Sequence, residues 1–169
     1  MITVFHAQFT SSNDAEFYRQ LHSHAHYLFS LERDWLANLS NSAALIGLNM
    51  RQINWVGFYL WRSEHLLLGP FWGKPACTRI LLGTGVCGTA AATLQPQLVD
   101  DVHLFPGHIP CDEASQSEMV IPFTSLDGRL IGVLDIDAPV KARFNAEDLG
   151  GMTRFLSFLS AACDWESML

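Results

Sequence analysis

SEMVIPFTSLDGRLIGVLDID, residues 117–137, is the stretch whose reading decides the fold. Two runs rich in β-branched and aromatic residues, 117–125 and 129–137, flank the turn Leu126-Asp127-Gly128. So short a connection makes the two strands antiparallel, because a parallel pair needs a crossover of about a dozen residues. Strand side chains alternate between faces. Ile131, Val133, Asp135 and Asp137 therefore share one face, and Gly132, Leu134 and Ile136 the other. Glu118 falls on the side of Val120, opposite Met119, Ile121 and Phe123. If the hairpin pairs about its turn, Glu118 and the two aspartates meet near one end of the sheet. Pro122 fits the first strand only where its missing N–H has no ladder partner.

Upstream, NWVGFYLWR (54–62) and LLLGPFW (66–72) read as a second hairpin across the turn SEH, and QLVD (97–100) as a short strand. Helical spacing predicts helices over 13–30, 34–51 and, after the glycines of GVCGTAAATLQ, over 85–95. Downstream, Asn145 with Asp148 three residues on approaches a capping box. Leu149, Met152, Leu156, Leu159 and Cys163 then form one apolar stripe. The sum is an α+β protein with an antiparallel sheet and its helices gathered on one face. Phe155, Phe158 and Leu159 on the last helix offer a surface for a second copy.

The chain has 169 residues, 49% apolar and 16% charged, enough to bury a core within one domain. No apolar run reaches the roughly 18–20 residues of a membrane span. MITVFHAQFTSS lacks a basic segment leading into a long apolar run, which argues against a secretory signal and for a cytoplasmic protein. The net charge is −7 and the ten basic residues are scattered, so a nucleic-acid or anionic-membrane role is disfavoured. An acidic pocket suits a ligand that carries an ammonium group.

Four cysteines stand at 77, 87, 111 and 163, with no C-x-x-C pair, which disfavours a zinc ribbon or a dithiol motif. Cys111 lies in FPGHIPCDEASQSE (105–118), the most polar and least regular loop, beside His103 and His108. A thiol there is either partly thiolate or simply exposed and inert. Cys87 opens a helix in a stretch with three glycines, a terminus that is either an anion cradle or a plain turn. Like charges brought together raise a pKa, so Glu118, Asp135 and Asp137 either keep a proton for acid catalysis or merely face water. His103, His108, Cys111 and Asp112 can be drawn as a metal set, but their spacing matches no tight zinc template. His22, His24 and His26 read as a solvated helix face. Cys163 reads as core. Trp55, Phe58, Tyr59 and Trp61 read mostly as sheet packing, with one of them free to line a pocket.

Five motifs settle these alternatives: NWVGFYL (54–60), GKPACTRI (73–80), GTGVCGTAA (83–91), DVHLFPGHIPCDEASQSE (101–118) and IGVLDIDAP (131–139). Together they resemble the free methionine-(R)-sulfoxide reductases, which are built on a GAF domain. The similarity runs from about residue 15 to the C-terminal helix. The resemblance implies one GAF domain over 1–169, with a helical segment at about 13–51, the sheet and active-site loops at about 53–138, and a C-terminal helix at about 145–165. Its central antiparallel sheet has about six strands, with the N- and C-terminal helices packed on one face. It implies reduction of free L-methionine-(R)-sulfoxide, with Cys111 as nucleophile, Cys77 as resolving thiol and Cys87 close enough to join thiol exchange. Cys163 matches no family cysteine. Trp55, Glu118, Asp135 and Asp137 fall on the substrate-binding set. The resemblance implies no cofactor and no metal, a thioredoxin-like dithiol as reductant, and a homodimer. Trp72 stands where a polar residue is expected and is assigned to the pocket rim. The competing readings are a GAF module that binds a small molecule without chemistry, and a metal-dependent hydrolase built on His103, His108 and Cys111.

Overall fold

The hairpin forms as the sequence predicts. In the computed structural model, which describes residues 8–109 and 112–168, β5 (Ser117–Thr124) and β6 (Leu130–Ala138) pair antiparallel from Ser117↔Ala138 to Thr124↔Leu130. Cys111 lies outside the described residues. β1 (Trp55–Arg62) pairs with the far side of β6, Trp55 opposite Asp137 and Gly57 opposite Asp135. β2 (His65–Trp72) returns along β1, and two three-residue strands, β3 (Arg79–Leu81) and β4 (Gln97–Val99), close the edges. The sheet order is β3-β2-β1-β6-β5-β4, with every neighbouring pair antiparallel. The sequence gives no sign of β3, because three residues are too short for an alternating pattern. β4 pairs only with residues 118–120, so Pro122 has a neighbouring strand on one side alone.

One expectation about the hairpin fails. The register shifts between Phe123 and Thr124, and this bulge turns Ile131 into the core with Leu134 and Ile136 rather than onto the face of Val133.

Three helices pack on one face: α1 (Asp14–Leu31), α2 (Trp35–Asn49) and α4 (Ala146–Ala162). Each begins at a side-chain cap. Asn13 accepts from Glu16 N–H at 2.9 Å, and Asp34 accepts from Ala37 N–H at 2.8 Å. Asn145 and Asp148 complete a capping box, Asn145 accepting at 3.0 Å and Asp148 accepting in return at 3.1 Å. Such caps hold backbone donors that water would otherwise satisfy, each contributing about 1 kcal/mol. Asp148 is also buried and accepts from Tyr18 O–H at 2.7 Å and Arg143 at 3.1 Å, which ties α1 to α4. At Gly151 a Cβ would sit 2.2 Å from the Tyr18 ring, so the absent side chain lets the two helices cross.

α3 (Gly85–Thr93) is the exception to the expectation of helices gathered on one face. It covers the opposite face, packing against β5, β6 and β3. Its apolar side chains, Val86, Ala90 and Ala91, are small and leave room beneath it.

Several details differ from the sequence reading. Trp72 pairs with Val56 and lies against Gly47 of α2, on the three-helix face and away from the pocket rim. His22 and His26 meet α4 rather than solvent alone. His22 Nε2 is 2.8 Å from the Gly151 carbonyl oxygen, and the His26 ring centroid lies 3.9 Å from that of Phe158. Phe155 and Leu159 are wholly buried in the core, so only Phe158 of the expected self-association surface reaches the outside. Cys163 is buried at the end of α4, where Asn38 donates to its sulfur at 3.5 Å.

Candidate active site

The pairing of three strands writes a row across the open face. Trp55 of β1 stands opposite Asp137 of β6, and Asp137 stands opposite Glu118 of β5. The next row toward the hairpin turn holds Gly57, Asp135 and Val120. All three carboxyl groups are buried, at 6% exposure for Glu118 and Asp135 and 9% for Asp137. The reading in which they merely face water is therefore excluded.

α3 lowers Cys87 onto this cluster. Its Sγ donates to Asp135 Oδ2 at 3.3 Å and lies 3.9 Å from Glu118 Oε1. Asp135 Oδ1 is buried and finds no hydrogen-bond partner among the described residues. Burial, which penalises every charged form, raises all four acids. Asp135 is pushed up to about 6 by burial. Glu118 is raised well above the usual carboxylate range by burial, then by the charges of Asp135 and Asp137. Asp137 is raised by burial, then by Asp135 and Asp112. The Cys87 thiol is raised by burial, then by Asp135 and Glu118. At neutral pH the cluster thus keeps protons on Glu118 and Asp137, the carboxyls raised furthest, while Asp135 is mostly ionised and Cys87 stays a thiol. Cys87, Glu118 and Asp135 offer donor atoms within 4.8 Å of one another, a spacing one cation could share; the thiol-to-carboxylate hydrogen bond accounts for it equally.

The aromatic wall rises from β1. The Trp55 ring stacks on Phe71 at 5.5 Å and on Tyr59 at 5.9 Å. Gly57 makes this possible, since a Cβ there would lie 2.4 Å from the indole. Trp55 Nε1 donates to the Lys74 carbonyl and Tyr59 O–H to the Cys77 carbonyl, both at 3.0 Å. The same aromatic pair therefore fixes the 73–78 loop, and with it half-buried Cys77, over the sheet. Tyr59 was legible: residues 55, 57 and 59 alternate onto the same face as the acids, yet an aromatic in a strand usually signals packing alone.

From the other side, Asp112 closes the site. Its carboxylate accepts from Lys74 Nζ at 3.2 Å, from Asn54 Nδ2 at 3.2 Å and from Ala114 N–H at 3.0 Å. Those bonds, the Ala114 backbone first, hold its pKa below the ordinary value. Asn54 also donates to Ser115 Oγ at 3.1 Å. The sequence reading missed Asn54, Lys74 and Ser115 because each is a common surface residue until the fold brings it to Asp112. His103 turns away to Asp101, with its Nδ1 at 3.1 Å, and so leaves the metal set drawn from His103 and His108.

The pocket has two lobes. One is lined by Cys87, Glu118, Asp135, Asp137, His108 and the start of α3. The other lies under Trp55, Tyr59, Pro75 and Ala76 and shares Asp112, Asp135 and Asp137 with the first. Thr84 begins α3 without capping it, because its hydroxyl donates back to the Leu81 carbonyl at 2.7 Å. The first backbone N–H groups of α3 thus lack a side-chain acceptor at the pocket wall. The arrangement can seat a small zwitterion with an apolar tail: acids for an ammonium, N–H groups for a carboxylate, aromatic faces for the tail. Trp55, Cys87, Glu118, Asp135 and Asp137 are brought together, with Cys77 on the adjoining loop. Cys163 is on the opposite side of the sheet.

The GAF domain family model matches residues 18–163. The chain is 48% identical over 147 residues to the free methionine-R-sulfoxide reductase of Escherichia coli, covering 87% of this chain and 88% of that protein. It is 39% identical over 166 residues to the enzyme of the same name from Saccharomyces cerevisiae, covering 94% and 92%. The structure superposes with a TM-score of 0.87 on free methionine-R-sulfoxide reductase from Neisseria meningitidis in complex with its substrate, at 41% identity over 91% of this chain and 92% of that one. The chain belongs to the GAF domain family, and within it to the group of the free methionine-R-sulfoxide reductases.

Proposed function

We propose that this chain reduces free L-methionine-(R)-sulfoxide to L-methionine with electrons from two of its own cysteines. The observation that carries this reading is the buried row Trp55–Asp137–Glu118 with Asp135 beside it, under relatives of that activity at up to 48% identity. Cys111, one residue before the anchored Asp112, is the nucleophile. Its thiolate attacks the sulfoxide sulfur, and the oxygen takes a proton from one of the clustered carboxyls, most simply Glu118. Methionine leaves and Cys111 becomes a sulfenic acid. The Cys77 thiolate attacks that sulfur, a second proton converts the departing oxygen to water, and a disulfide remains. The balance is one sulfoxide, two thiolates and two protons giving one thioether, one disulfide and one water. An external dithiol of the thioredoxin kind then reduces the disulfide.

Cys87 acts in this scheme as a hydrogen-bonding thiol and not as a leaving or attacking group, because a raised pKa suppresses the reactive thiolate. The acids select a free amino acid, since Asp135 and Asp137 pair with its ammonium while the α3 N–H groups receive its carboxylate. Trp55 and Tyr59 hold the thioether. The protein works as a homodimer in the cytoplasm, with mass in solution as the check on assembly.

The test is turnover of purified protein with free R and S methionine sulfoxide and thioredoxin as reductant. The R epimer is consumed and the Cys111→Ser variant is inactive. Ligand binding with no methionine produced from either epimer would instead support a GAF sensor. Full activity in Cys111→Ser would remove the nucleophile assignment.

A further inference from the structure

The protonated acids sit behind a wall, and two protons per turnover must cross it. His108 is part of that wall. Its side chain lines the inner pocket with Cys87, Glu118, Asp135 and Asp137, and it also lines an open outer groove with His103, Phe105, Asp112 and Glu113. Its Nδ1 is 4.0 Å from Glu118 Oε2, a gap that one water or a small ring rotation closes. Only 16% of the side chain is exposed. Asp112 and Ser115 share both spaces, but the Asp112 carboxylate is held by Lys74 and Asn54, and Ser115 Oγ accepts from Asn54.

We propose that His108 carries protons from the outer groove to the Glu118 carboxyl, a positioning residue that acts through Glu118 and does not touch the substrate. This rests on the reductase reading given above. In each turnover Glu118 gives a proton to the sulfoxide oxygen and is left as a buried anion. The imidazolium of His108 returns one proton to Glu118 and takes another from water in the groove. The same exchange serves the second step, in which the sulfenic oxygen leaves as water. No electrons move through His108, and it is unchanged after two transfers.

The groups facing the imidazole fit this duty. Glu118 approaches from β5, Asp135 and Asp137 from β6, Cys87 from α3, and His103, Asp112 and Glu113 from the loop. Burial, then the neighbouring His103, lowers the His108 pKa below its ordinary value. An imidazole that is mostly neutral at pH 7 takes up a proton and passes it on without trapping it.

Two readouts test the proposal. In His108→Gln, kcat is expected to fall about 10- to 100-fold at alkaline pH, with KM nearly unchanged, a smaller deficit at acid pH, and partial recovery on adding imidazole. A kcat and pH profile equal to those of the parent protein, or a loss confined to KM with no response to imidazole, would overturn it. The second readout needs no turnover. The His108 titration followed by NMR is expected to shift when Glu118 is replaced by Gln, and an unmoved titration would also overturn it. If the parent protein fails to reduce free methionine sulfoxide, the reductase reading falls, while the NMR titration still decides the coupling of His108 to Glu118.

Discussion

The two faces of the sheet are made by the same strands and bury opposite things. Against α1, α2 and α4 the strands point Met119, Ile121, Leu134 and Ile136. Against α3 they point Val120 and Val133, then Glu118, Asp135 and Asp137. A period of two lets adjacent residues of LDID serve these different ends. On the three-helix face the strands' buried side chains remove apolar surface from water, worth roughly 1.5–3 kcal/mol for each large one. On the α3 face the buried acids cost stability unless they keep their protons. One face supplies the stability that the other spends. Substitutions on the two faces should therefore move different quantities.

The largest effect is expected on the acid face. Glu118→Gln keeps shape and a hydrogen-bonding group but cannot release a proton. Reduction should slow about 100- to 10,000-fold, with thermal stability held or improved. A variant that keeps parental kcat would move the proton donor to Asp135 or Asp137.

On the other face, Phe155→Ala opens a cavity under α1, where the ring meets Phe29 at 5.7 Å. Denaturant unfolding should record a loss of about 3–5 kcal/mol. The variant, assayed at a temperature where it is folded, should retain the parental kcat. A specific loss of kcat in folded protein would break the division of labour between the faces.

A smaller effect of opposite sign belongs to Asp135. Its folded pKa of about 6 lies above its ordinary value, so the folded chain binds a proton that the unfolded chain has released. Its contribution is full at acid pH and is lost as pH rises through about 6. Asp135→Asn removes that loss and still accepts from Cys87. It should unfold at higher temperature at pH 7.5, by about 3 kcal/mol of stability, and the difference should vanish toward pH 4. Equal melting temperatures across that range would mean that the carboxylate is solvated.

Much of this was legible in the residues. Alternation in VIPF and LDID assigned the faces, and Asn13, Asp34 and Asn145 marked helix starts within a residue. Gathering Glu118 with Asp135 and Asp137 needed only the turn at 126–128. Three things were not legible. The bulge at Phe123 reverses Ile131, and bulges leave no pattern of their own. β3 is shorter than one alternation. α3 lies alone on its face, where its small residues leave room for the site beneath it, a choice of packing that Ala-rich sequence does not reveal. Trp72 misled the reading for the same reason, since its partner Gly47 is distant in sequence.

The most direct measurement of the central claim compares kcat/KM for free L-methionine-(R)-sulfoxide with that for its N-acetyl derivative in the unmodified protein. If buried carboxyls hold the ammonium, acetylation leaves an acid unpaired at a cost of about 3 kcal/mol, a loss on the order of 100-fold. Equal values for the two substrates would contradict the account.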